Sequence, residues 1–158
     1  MKLSQNLNDA LNQQILIELQ NQNKYMQIQS LFEDMQLKHL ADFFKNQSAG
    51  ENDHANLFMN HINDRNGGKV TIDEINSPMI NFSDINSIAD FYVLTEQQTT
   101  ESIESLYDLA LEEKSYIDLP FLQKMLDEQV EEEDTSQALA LKLKTVKDII
   151  LFDATFGD

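Results

Sequence analysis

Glu51-Asn52-Asp53-His54 places a carboxylate and an imidazole three residues apart. On a helix, residues i and i+3 share a face, so the two side chains would point the same way. In the core of a helical bundle, Glu-x-x-His is one half of a carboxylate site for two metal ions. A single copy arises easily by chance, so its meaning depends on partners at the same depth. The hydrophobic pattern supplies them. Glu18, Gln47, Glu96, Gln129 and Glu132 fall on the inward seams of long helical segments, with Gln22 and Tyr25 near Glu18.

Burying an unpaired carboxylate is costly. Four of them in one layer would have to take up protons, draw in water or hold cations. Two divalent cations would neutralise the cluster, and oxygen-rich ligation with one imidazole suits iron or manganese better than copper. Taken singly, each residue has a plainer explanation. His54 alone is an ordinary histidine, Glu96 a solvated helix residue, Tyr25 a core tyrosine, and Glu131-Glu132-Glu133 a charged face. The argument rests on their conjunction across four helices.

The elements that must position them follow from the apolar spacing. Leu11, Ile15, Glu18, Gln22, Tyr25, Gln29 and Phe32 recur in steps of four and three, which predicts a helix over 3–33. A second helix is expected over 38–65, on a seam of Leu40, Phe44, Gln47, Glu51, His54, Phe58 and His61, and Asn66-Gly67-Gly68 ends it. Residues 67–83 form a long connection with Pro78 and a β-like piece at Lys69–Ile72. Ser83 or Asp84 caps a third helix over 84–113, and Pro120 suits the first turn of a fourth that runs to 145. A short apolar tail, 148–156, makes a small fifth helix. The short first and third connections make two antiparallel hairpins. The middle one can span roughly 55 Å at ~3.3 Å per residue, more than the about 42 Å of one such helix, so it can cross the whole bundle.

Composition narrows the function classes. The 158 residues make one all-α domain, a bundle over about 3–145 with the short helix at about 147–156. Only 4 Gly and 2 Pro interrupt it, and with no Cys any metal must be held by oxygen and nitrogen. A net charge of −17 argues against nucleic acid and for attraction of cations, although solubility alone would also explain it. No apolar run is long enough to span a membrane and the N-terminus has no signal-peptide pattern, so a cytoplasmic location is expected. Asn and Gln are concentrated in the first half without an evident chemical reason.

The pieces Ile17-Glu18-Leu19 with Tyr25, Glu51-Asn52-Asp53-His54, Thr95-Glu96 and Leu126-Asp127-Glu128-Gln129-Val130-Glu131-Glu132-Glu133 resemble the bacterial non-haem ferritins over nearly the whole chain. The resemblance implies a ferritin-like four-helix bundle with one long crossover between helices 2 and 3 and a short fifth helix. It also implies a ferroxidase centre. One iron would take Glu18, Glu51 and His54, and the other the shared Glu51 with Glu96 and Glu132. Gln129 would hydrogen-bond near the oxygen site, and Tyr25 would act as an electron donor. The reaction partners would be Fe(II) and O2 or peroxide, inside a homo-oligomeric cage of about 24 subunits. Bacterioferritins carry a second Glu-x-x-His where this chain has Gln129-x-x-Glu132, so no haem is expected.

A third iron site would use Glu128, Glu131 and Glu132, but Gly50 stands where the family often has a further Glu. Leu119 and Leu122 stand where animal ferritins place acidic channel residues, and the segment ending Gly157-Asp158 is short for closing a four-fold axis. Asp64–Glu74 resembles an EF-hand loop but lacks one residue and has Gly68 at a ligand position. Three functions follow in order: an iron-storage ferritin, a small di-iron oxidase that stores nothing, and a non-enzymatic helical or calcium-responsive scaffold.

Overall fold

The computed structural model describes residues 1–76, 82 and 84–157; Pro78 and Ser83, assigned above to the crossover and to a helix cap, lie outside the described residues, as does Asp158. Five helices form: α1 (Gln5–Asp34), α2 (Lys38–Asp64), α3 (Ile85–Glu112), α4 (Leu119–Thr145) and α5 (Ile149–Thr155). Their starts have local causes. The Ser4 hydroxyl accepts from Leu7 N at 3.0 Å, and Asp84 accepts from Ser87 N at 2.8 Å. Each satisfies a first-turn amide that has no partner within the helix. Pro120 sits in the first turn of α4, where its missing N–H costs nothing. At the end of α2, Gly67 adopts φ 80°, and a Cβ on Gly68 would lie 1.9 Å from the Ile62 carbonyl oxygen. Only glycines fit that stop.

The cap of α2 is not local. Leu37 precedes it without a capping side chain. Asp153 of α5 supplies one, accepting from Leu40 N at 2.8 Å, while the His39 ring donates from Nδ1 to the Asp153 carbonyl at 2.7 Å. A carboxylate at a helix N-terminus is favoured by the helix dipole as well. This contact pins the short fifth helix to the bundle.

Contacts between the helices and their ends fix the directions. Leu3 N reaches Asn66 O, which joins the start of α1 to the end of α2. Lys144 pairs with Asp90, which joins the end of α4 to the start of α3. Tyr25 meets Glu96 and Asn21 meets Thr99, so α1 and α3 are antiparallel. Phe44 packs on Tyr92, so α2 and α3 run parallel and the crossover must traverse the bundle. The result is a four-helix bundle with a short fifth helix.

Asparagines hold the crossover against α1. No strand forms among the described residues, so the β-like reading of Lys69–Ile72 gives way to a different solution. Asn12 Nδ2 donates to Lys69 O at 2.8 Å, Lys69 N donates to Asn8 Oδ1 at 2.8 Å, and Thr71 N donates to Asn12 Oδ1 at 2.7 Å. Two amides one helical turn apart serve the crossover backbone as a neighbouring strand would. This gives part of the asparagine excess a purpose.

The apolar core comes in two halves. One gathers Tyr25, Phe32, Leu40, Phe44, Tyr92 and Leu143. The other gathers Leu7, Leu11, Ile15, Phe58, Ile103 and Leu122. Leu122 is therefore interior to its own subunit. Between the halves lies a layer of buried polar groups: Glu18, Asn21, Ser48, Glu51, Thr95, Glu96, Thr99, Gln129 and Ser136. Gln47, placed on the seam by the periodicity, is half-buried, and Ser48 takes the inward position. Gly50 is helical and an added Cβ there would meet nothing within 4 Å. Gly50→Ala is expected to raise stability by about 1 kcal/mol, the helix propensity difference, as read by urea denaturation.

Candidate metal centre

Glu18 of α1 with Glu51 and His54 of α2 each bring one ligand-capable atom within 4.8 Å of the others. Among the described residues this is the one His/Asp/Glu group so gathered, and the acidic residues of the crossover are not part of it. His54 Nδ1 lies 3.3 Å from Glu51 Oε2 and 3.8 Å from Glu18 Oε2, while Nε2 lies 3.2 Å from Glu128 Oε2. Glu18 Oε1 accepts from Gln14 Nε2 at 2.8 Å. Glu18 Oε2 is buried with no hydrogen-bond donor. An orphaned carboxylate oxygen facing a second carboxylate and an imidazole is a donor set for a hard or borderline cation.

Glu96 and Glu132 stand across the same layer but outside that close group. The Tyr25 hydroxyl donates to Glu96 Oε1. Gln129 Nε2 lies 3.3 Å from Glu96 Oε2 and 3.2 Å from Thr100 Oγ. Glu132 is half-buried on α4, and its charge is felt by Glu96 and Tyr92. Glu128 is half-buried and Glu131 exposed.

The electrostatics are those of too many carboxylates in a dry place. Burial, with Glu18 and Glu96 adding to it and the His54 hydrogen bond opposing, pushes the Glu51 carboxyl well above its ordinary range. Burial pushes Glu96 up to about 7, with Tyr25 and Gln129 opposing and Glu132 and Glu18 reinforcing. Glu132 is raised too, chiefly by burial. Burial alone would lower the His54 imidazole, but the facing carboxylates of Glu18 and Glu51 win and lift it to about 11. Tyr25 is raised by burial and by Glu96, so its phenol holds its proton firmly.

A pH dependence follows. A carboxyl whose folded pKa is raised favours the fold below its ordinary 4.5 and loses that advantage as pH climbs through about 7. The metal-free protein is therefore expected to lose stability as pH rises from 4.5 through about 7, through Glu96. Glu96→Gln should remove up to about 3 kcal/mol of that slope in paired denaturant melts, taking 1.36 kcal/mol per pH unit.

Three neighbours of the site escaped the sequence reading. Gln14 stands four residues before Glu18 and Thr100 four after Glu96, so the i, i+4 rule would have found both. Lys24 is half-buried beside the Phe91 ring. Burial lowers its pKa, while Glu51 and Glu96 oppose that shift. It thus adds a positive charge within range of both carboxylates.

An all-helical bundle with a carboxylate-rich buried layer and an imidazole beside it belongs to the class of helical bundles whose facing helices can build a metal site from carboxylates. Residues 8–146 match the model of the ferritin-like domain family. The bacterial non-haem ferritin of Staphylococcus aureus (strain USA300) is 34% identical over 131 residues, covering 83% of this chain and 78% of that one. The Staphylococcus saprophyticus counterpart shows the same identity and coverage. Among solved structures, an open pore ferritin from the archaeon Archaeoglobus fulgidus superposes with TM-score 0.93 at 25% identity, covering 98% of each chain. An engineered closed form of that ferritin aligns equally well, at 26% identity. This chain belongs to the ferritin family.

Proposed function

We propose that the protein oxidises Fe(II) at a dinuclear centre within each subunit and stores the ferric product inside a homo-oligomeric cage of about 24 copies. The observation that carries this reading is the orphaned, buried Glu18 Oε2 facing Glu51 and His54. Fe(II) is substrate and cargo: each ion gives up one electron, and O2 or peroxide accepts it. Glu18, Glu51 and His54 would hold one Fe(II), and Glu51, shared, would hold the other with Glu96 and Glu132.

The protein's own groups do the rest. Glu51, whose carboxyl is raised by burial, gives up its proton more reluctantly than an ordinary carboxyl, and arriving cations favour its ionised form. Gln129, hydrogen-bonded to Glu96 and Thr100, orients the second half of the centre. Tyr25, donating to Glu96, sits where a phenol could supply an electron. Glu128, next to His54, with Glu131 and Glu132 would form a weaker third iron site toward the cage interior, since Gly50 offers no ligand. The net charge of −17 draws Fe(II) inward. No helix among the described residues is long and apolar enough to cross a membrane, which suits action in the cytoplasm.

Size-exclusion chromatography with light scattering, before and after aerobic Fe(II) loading, tests this reading. A large assembly that retains iron at the protein peak is expected. A small oligomer that oxidises Fe(II) but precipitates the product would leave the non-storage oxidase, and no acceleration over buffer would leave the scaffold.

A further inference from the structure

The contacts around Glu18 do more than seat it in the core. Gln14 is fully buried and both ends of its amide are taken. Nε2 donates to Glu18 Oε1 at 2.8 Å, and the Ser102 hydroxyl of α3 donates to Gln14 Oε1 at 2.5 Å. A carboxylate can only accept, so the amide NH2 must face Glu18. The flipped amide would set oxygen against oxygen. Ser102, donating from the far side, holds the amide in the productive orientation. One Glu18 oxygen is thereby committed, and the other stays buried without a donor. That Oε2 lies 3.8 Å from His54 Nδ1.

We propose that Gln14, held by Ser102, is a positioning residue that restricts Glu18 to offering a single oxygen, Oε2, to the cation shared with Glu51 and His54. With Oε1 tied back, Glu18 cannot chelate through both oxygens or swing toward Glu96. The two halves of the centre then share Glu51 alone and keep different affinities. This inference rests on the dinuclear reading above.

Anaerobic titration of the metal-free, assembled protein with Co(II), followed by its visible d–d absorption, tests it. Wild type should take up Co(II) in two steps. Gln14→Leu should weaken one step by about 10–100-fold and leave the other unchanged, the usual effect of losing an outer partner of a ligand. Ser102→Ala, which keeps the amide but frees it to turn, should weaken the same step roughly fivefold, the worth of about one hydrogen bond. Ser102→Thr keeps the hydroxyl and should restore it. If Gln14→Leu fails to fold, the serine pair decides alone. Either Gln14→Leu or Ser102→Ala, when folded, binding both Co(II) ions as tightly as wild type would overturn the positioning role. Should Glu51→Ala also bind Co(II) like wild type, the dinuclear reading itself has failed, a result separate from the first.

Discussion

Replacing Glu51 and His54 together by alanine is expected to slow aerobic Fe(II) oxidation at least about 100-fold at equal subunit concentration. Outer partners of a metal ligand already cost 10–100-fold when lost, and these two residues supply two of the three close donors of the gathered site. Glu51 matters most because it is the one carboxylate proposed to serve both irons. Its raised pKa, caused first by burial, shows how poorly the apoprotein tolerates its charge. Removing it relieves that tension, so loss of activity should come without loss of helix content. Zn(II) offers a second readout. It should raise the melting temperature of wild type, because a cation that binds only the folded state stabilises by mass action, and it should leave the double variant unmoved. Stopped-flow absorbance of the ferric product measures the first effect and calorimetry the second.

Asp118→Ala is expected to cost about 3–5 kcal/mol, the usual price of breaking a buried ion pair on one side. Asp118 is fully buried at the mouth of α4. It accepts from Arg65 Nε at 2.7 Å and Nη2 at 3.3 Å, from His61 Nε2 at 2.8 Å and from the Ser115 hydroxyl at 2.5 Å. Burial alone would raise its carboxyl, but the hydrogen bonds from His61, Arg65 and Ser115 overcome burial and hold it well below the ordinary 3.8. The pair's contribution is therefore complete above about pH 4 and fades as the solution is acidified further. Truncation leaves the Arg65 guanidinium, itself only 9% exposed, without its carboxylate. The melting temperature should drop by about 10 °C at 2–4 °C per kcal/mol. The double variant Arg65→Met/Asp118→Ala should recover much of the loss, because it removes the stranded charge. If the double variant is no more stable than Asp118→Ala, the ion pair is not what holds the ends of α2 and α4 together. Iron oxidation, measured below the new melting temperature, should be unaffected, since this cluster joins the end of α2 to the start of α4 and includes none of the carboxylates of the buried layer.

The features that could be read from the sequence are those with a short period. Leu11, Ile15, Glu18 and Tyr25 announce α1 because helical geometry repeats every three to four residues. The same logic put Glu18, Glu51, Glu96 and Gln129 in the buried layer, where they are. The error at Gln47, with Ser48 facing inward instead, is a drift of one position. A seam counted at 3.5 residues per turn slips against a helix of 3.6. What could not be read depends on pairings far apart in the chain. Asn12 meets Lys69 and Asn8 meets Lys69 N across more than fifty residues, and Asp153 caps a helix 113 residues earlier. Nothing in the local pattern of an asparagine or aspartate says which distant amide it will serve. The β-like reading of Lys69–Ile72 failed for that reason: the backbone groups of Lys69 and Thr71 pair with the Asn8 and Asn12 side chains and not with a strand. Gln14 differs, because it lies on the Glu18 face at i−4 and its role was open to a reading that followed the ligands back one turn.

Crystals grown without metal, soaked anaerobically in Fe(II) and measured across the iron absorption edge, test the central claim most directly. Two anomalous peaks are expected in the buried layer, one among Glu18, Glu51 and His54 and one among Glu51, Glu96 and Glu132. Iron found only at surface carboxylates, with none beside Glu51, would contradict the account.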